Sequence, residues 1–60
     1  MNNLRTLRVS RGLNQRQLAE LSGVSIAMIS KIEQGSRVPS LKLAYKLAKV
    51  LAVTMEELQG

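Results

Sequence analysis

The chain has 60 residues and a formal charge of +5, and 45% of its residues are apolar. It contains neither cysteine nor histidine, so no disulfide or His/Cys metal site can reinforce a core close to the lower size limit for independent folding. The apolar content excludes a disordered tail, the lack of a long apolar run means that no membrane span or signal peptide is expected, and a pI of about 10.5 favours an anionic partner.

Helix punctuation recurs along the chain. A first helix is expected over 2–11, with Leu4 and Leu7 on one side and Gly12 as its stop. Asn14 then caps a second helix over 15–22, with Gln17 as its capping-box partner and Leu13 and Leu18 as a hydrophobic staple. Leu18, Ala19 and Leu21 mark its apolar face, and Gly23 ends it. Ser25 caps a third helix over 26–34, Val24 and Ile29 form its staple, and Gly35 stops it. Ile29 and Ile32 are its inward residues.

The loop Ser36-Arg37-Val38-Pro39 follows, and Ser40 caps a fourth helix over 41–51. Leu43, Ala44, Leu47, Ala48 and Leu51 give that helix a broad apolar stripe, while Lys42, Lys46 and Lys49 share one edge and read as a solvated face. Thr54 caps a fifth helix over 55–59, with Glu57 closing the capping box and Val53 and Leu58 the staple. No segment alternates with a period of two, so no strand is expected. The fold class is all-α, a compact five-helix arrangement forming one domain over 1–60.

Residues 15–34 are two helices joined by a short glycine-containing turn, the helix-turn-helix arrangement. Ala19 must be small where the third helix crosses the second, and Gly23 takes the positive φ of the turn. With Ile29 and Ile32 inward, Ile26, Ala27, Ser30 and Lys31 lie on the opposite face, and Met28 sits at the boundary. Such a face suits the DNA major groove: Lys31 can donate to guanine, Ser30 can donate or accept, and Ile26 and Ala27 can pack on thymine methyls. Ser25, at the start of the helix, joins them as a candidate base contact. Asn14 and Gln15, at the N-terminus of the second helix, together with Arg16, Gln34, Ser36 and Arg37, are candidate phosphate contacts.

These residues resemble the phage-repressor group of helix-turn-helix proteins, the Cro/CI/Xre-like family. The matching features are Leu4-Arg5-x-x-Arg8, Gly12-Leu13-Asn14-Gln15-x-x-Leu18-Ala19, Gly23-Val24-Ser25 and Ile29-Ser30-x-Ile32-Glu33-x-Gly35. They continue through Pro39-Ser40, Leu47-Ala48-x-x-Leu51 and Val53-Thr54-x-x-Glu57-Leu58. The resemblance implies a five-helical, lambda-repressor-like DNA-binding domain that works as a dimer on palindromic operators. It implies that Gln15 contacts a phosphate, that Ile26, Ala27, Ser30 and Lys31 read bases, and that Arg8 and Glu33 form an ion pair between the first and third helices. The family commonly places polar residues where this chain has Ile26 and Ala27, which leaves the operator sequence open.

The leading expectation is a cytoplasmic transcriptional repressor, bacterial or phage-encoded, with double-stranded DNA as partner. A homodimer, weak without DNA and contacting through Met55 and Leu58 of the fifth helix, is expected. The alternative is a protein-interaction module on the same fold, antitoxin-like or coactivator-like, anchored by Ile26, Ala27 and Met28. No cofactor, metal, membrane or small-molecule ligand is implied. No nucleophile has a recognisable base, so an enzyme is not expected.

Overall fold

The computed structural model describes residues 3–60, and they fold as helices α1 (Leu4–Ser10), α2 (Gln15–Ser22), α3 (Ile26–Glu33), α4 (Leu41–Leu51) and α5 (Met55–Gln59). Four of the five start at a capped position. Asn14 accepts a hydrogen bond from the Gln17 amide at 2.7 Å, Ser25 from Met28 at 3.1 Å, Ser40 from Leu43 at 3.2 Å and Thr54 from Glu57 at 3.0 Å. Both expected capping boxes close, because Gln17 and Glu57 reach back to the amides of Asn14 and Thr54. Each such cap contributes about 1 kcal/mol. That matters for helices of five to eight residues, which are too short to persist alone.

The core lies where the helices converge. Leu4, Leu18, Ile29, Ile32, Leu47, Leu51 and Leu58 are fully buried there, with Ala19 and Ala48 between them. Leu13, Val24 and Val53, the residues before three of the caps, pack half-buried against this cluster, as a hydrophobic staple requires. Two polar bonds tie distant parts of the chain together. The Arg11 Nε donates to the Leu51 carbonyl at 2.6 Å, and the Asn3 side chain donates to the Glu57 carbonyl at 2.8 Å. They fasten the two ends of α1 to the end of α4 and to α5.

Several expectations need correction. Helix α1 is shorter than 2–11: Arg11 is its C-cap, Asn3 precedes it, and residue 2 lies outside the described residues. Helix α3 ends at Glu33, with Gln34 as its C-cap. Leu21 is not inward; it is 61% exposed. At about 100° per residue the buried arc of α2 is set by Leu18, Ala19 and Ser22, and Leu21 falls outside it. Leu58, offered as a dimer contact, is a fully buried core residue.

The end of α4 departs from the glycine rule. Ala52 takes the left-handed conformation at φ 57°, and its amide and that of Val53 satisfy carbonyls of the last turn. A left-handed alanine costs about 1–2 kcal/mol. Ala52→Gly relieves that strain at some cost in unfolded-chain entropy, so it is expected to stabilise the fold by about 0.5–1 kcal/mol. Gly23 has φ 71° and open space where a Cβ would stand, so Gly23→Ala meets only the backbone penalty and is expected to destabilise by about 1 kcal/mol. Urea denaturation of the two variants checks both signs.

Candidate nucleic-acid interface

Helix α3 is fixed from behind. Ile29 and Ile32 are fully buried, and Met28 is half-buried beside them. The helical rotation then turns Ala27 and Lys31 outward, with Ile26 at one margin, 41% exposed. Ser30 is half-buried, and its Oγ accepts from the Gln34 side-chain Nε2 at 3.2 Å. Ser25 is exposed; its Oγ is engaged as the cap acceptor, which leaves the hydroxyl proton free to donate. The residues expected to read bases therefore share one continuous surface.

Helix α2 presents its N-terminus beside that surface. The Asn14 side-chain oxygen is committed to the cap, so its NH₂ group is what remains for an outside partner. The Gln17 amide is satisfied by that cap and the Leu18 amide by the Asn14 carbonyl, which leaves the amides of Gln15 and Arg16 as the outward donors of the first turn. Arg16, Gln34, Ser36 and Arg37 are all exposed. The Ser36 hydroxyl donates to the Lys31 carbonyl at 3.2 Å, which draws the loop back onto the end of α3.

The ion pair implied by the resemblance is present. Arg8 Nε lies 2.6 Å from Glu33 Oε2, and the two side chains retain only 10% and 4% of their exposure. Arg8 Nη2 donates to Glu33 Oε1 at 3.2 Å, and Nη1 donates to the Leu13 carbonyl at 2.8 Å. The Gln15 side-chain Nε2 also donates to Glu33 Oε1, at 3.1 Å. One carboxylate therefore joins α1, α2 and α3. It also ceases to be a free negative charge on a face expected to meet phosphates.

Sequence reasoning missed Arg5 as a member of this face. It lines a cleft between α1 and α3 together with Arg8, Gln15, Ser30, Glu33 and Gln34. The signal was available in its spacing, since residues three apart share a helix face and Arg8 belongs to that face. Among the described residues, no group of His, Cys, Asp and Glu could hold a metal ion, and no helix is long and apolar enough to cross a membrane.

An exposed helix lying across a short glycine turn, backed by a second helix with outward N-terminal amides, defines a helix-turn-helix DNA-binding protein. Comparison with known proteins agrees. A family model described as helix-turn-helix matches residues 4–58, and the chain belongs to that family, in its Xre/Cro-like form. It is 44% identical over 57 residues to an uncharacterized HTH-type transcriptional regulator of Methanocaldococcus jannaschii, covering 95% of this chain and 86% of that one. It is 41% identical over 54 residues to the HTH-type transcriptional regulator PuuR of Escherichia coli, covering 90% of this chain and 29% of that longer protein. The crystal structure of the restriction-modification controller protein C.AhdI from Aeromonas hydrophila superposes with a TM-score of 0.89 at 40% identity, covering 95% of this chain and 86% of that one. Fold, surface and family together make the protein a DNA-binding transcription regulator.

The Arg8–Glu33 pair yields a stability prediction. Arg8→Ala leaves Glu33 buried without its cation and is expected to cost about 3–5 kcal/mol. A domain of this length has roughly 3–9 kcal/mol in total, so the variant should be partly unfolded at room temperature. Replacing both partners by methionine should recover much of the loss, because no uncompensated charge remains. Denaturant titrations followed by circular dichroism test this, and an Arg8→Ala variant as stable as the wild type would refute it.

Proposed function

We propose that the protein is a sequence-specific repressor that occupies a palindromic operator as a homodimer, in the cytoplasm of a bacterial cell. One observation carries the reading: α3 buries Ile29 and Ile32 completely while leaving Ile26, Ala27 and Lys31 in solvent. Inserted in the major groove, Lys31 donates to guanine O6 or N7, Ser25 and Ser30 exchange hydrogen bonds with base edges, and Ile26 and Ala27 pack on thymine methyls. The amides of Gln15 and Arg16 with the side chains of Asn14, Gln15 and Arg16 on one side, and Gln34, Ser36 and Arg37 on the other, hold the backbone phosphates. Repression follows from occupancy, because a bound dimer covers the operator it reads.

Exposure also supports a candidate dimer surface. Val38 and Leu41 are 83% and 80% exposed, and they line a groove with Pro39, Ala44, Met55 and Gln59. This moves the expected contact from the core residue Leu58 to Val38, Leu41 and Met55. On a palindromic operator the paired α3 helices enter half-sites one turn of DNA apart, roughly 34 Å. The patch is small, so self-association is weak in free solution and grows on DNA. In sedimentation, the wild type should be largely monomeric at low micromolar concentration. Leu41→Ser should reduce the cooperativity of operator binding without changing the half-site chosen. A tight dimer without DNA would contradict this assignment.

Selection of bound duplexes from a random pool tests the reading of bases. Lys31→Ala is expected to relax one position at a cost of about 1–3 kcal/mol. Replacing thymine by uracil in the selected half-site removes only a methyl group and should weaken binding wherever Ile26 or Ala27 packs. Unchanged affinity at every such position would remove the apolar readout. Affinity that barely responds to salt would instead favour a protein partner for Ile26, Ala27 and Met28.

A further inference from the structure

The cleft between α1 and α3 lies at the margin of the reading surface, and the contacts assigned above do not use its α1 wall. It encloses about 300 Å³, with Arg5 on that wall and Ser30 and Gln34 on the α3 side. Its floor is electrostatically settled. Glu33 accepts hydrogen bonds from Arg8 Nε, Arg8 Nη2 and Gln15 Nε2, and its side chain is almost wholly buried. Arg8 is committed to Glu33 and to the Leu13 carbonyl. Two guanidinium groups and one carboxylate leave a net charge of +1, and that charge is carried by Arg5. Arg5 is exposed, and the one ion pair among the described residues is Arg8–Glu33.

We propose that this cleft is a phosphate seat, in which Arg5 anchors a phosphodiester of the DNA backbone beside the groove that α3 enters. The inference rests on the DNA-binding reading and extends the interface from α2 and α3 to α1. The placement distinguishes phosphate from base. The outward arc of α3 is what reaches the groove floor, and Ser30 and Gln34 sit where that arc turns back toward α1. A cation beyond them meets the groove wall, which is sugar and phosphate. The exposed Gln34 side chain donates one N–H to Ser30 Oγ and keeps its second, so the seat offers a neutral donor beside the guanidinium. The planar fork of arginine matches two phosphate oxygens.

The test uses a random-sequence duplex, since a backbone contact does not depend on the operator. Affinity is measured against salt for the wild type, Arg5→Ala, Arg5→Lys and Lys49→Ala. Lys49 lies on α4, stacked over Tyr45 at 5.6 Å, and its replacement removes the same charge from a surface outside the interface. Arg5→Ala should lower the slope of log affinity against log salt by about 1. It should weaken binding several-fold, equally for random and selected duplexes, and leave the melting temperature unchanged. Arg5→Lys should keep the slope, and Lys49→Ala should match the wild type. A slope for Arg5→Ala equal to that of a DNA-binding wild type overturns the seat. A wild type that binds no duplex in dilute buffer overturns the DNA reading itself, and the seat with it. Inorganic phosphate at matched ionic strength should raise the melting temperature of wild type and Arg5→Ala alike. A rise confined to the wild type would mark a free-anion site instead of a backbone contact.

Discussion

The placement of α3 is the constraint on which the function depends. An eight-residue helix does not hold its own shape in water, so its orientation is a tertiary property. Two interactions of different character supply it. Burial of Ile29 and Ile32 is strong, about 1.5–3 kcal/mol for each side chain, but it is non-directional and sets mainly how deep the helix sits. The Arg8–Glu33 pair is directional: its bidentate geometry fixes where the end of the helix lies relative to α1. Together they leave the outward residues little freedom to be anything but outward. A reading surface gains from this, because side chains already in place lose less entropy when they bind.

The ion pair is better understood as a device for position and charge than as a source of stability. A buried pair of this kind often contributes no more than apolar residues of the same volume. What it does here is distribute one carboxylate over three helices. Arg8 comes from α1, Gln15 from α2 and Glu33 from α3, and the Leu13 carbonyl is drawn in through the same guanidinium. Left unpaired, Glu33 would oppose the phosphates that Gln15 and Arg16 are proposed to meet. Pairing removes that opposition and orients Gln15 at the same time.

The helices are legible in the sequence because their boundaries are local chemistry. Asn14, Ser25, Ser40 and Thr54 announce their helices through side-chain acceptors that need only the next three residues. The face of α3 is legible for a related reason, since two isoleucines three apart define its inward side. The failures are tertiary. Leu21 looks inward from its spacing, but the buried arc of α2 is set by what packs on it, and Ser22 takes the place instead, buried with its hydroxyl unpartnered. Leu58 looks available on a short terminal helix, yet that helix survives only by burying it. Arg11 and Asn3 bond to carbonyls 40 and 54 residues away, and no local pattern encodes such partners. Ala52 shows the limit of the glycine rule: a left-handed cap can be imposed by the packing around it, here on a residue that does not favour it.

The composition of the reading face shapes how this protein can discriminate. A bidentate contact between a side chain and a base is worth about 1–3 kcal/mol against the wrong base. In the proposed complex Ile26 and Ala27 make none, Ser30 shares its hydroxyl with Gln34, and Lys31 alone would carry charge into the groove. A face of this kind reads methyl groups and shape more than donors and acceptors. Most of its affinity must then come from phosphates, which attract every sequence alike. In the proposed dimer, selectivity would be recovered from the fixed spacing of two half-sites and from sequences that deform cheaply to meet both α3 helices. That places unusual weight on the geometry between protomers. The proposed weak apolar contact through Val38, Leu41 and Met55 would suit this role, because it would add little to non-specific binding by a single subunit and contribute fully only where two half-sites lie at the right distance.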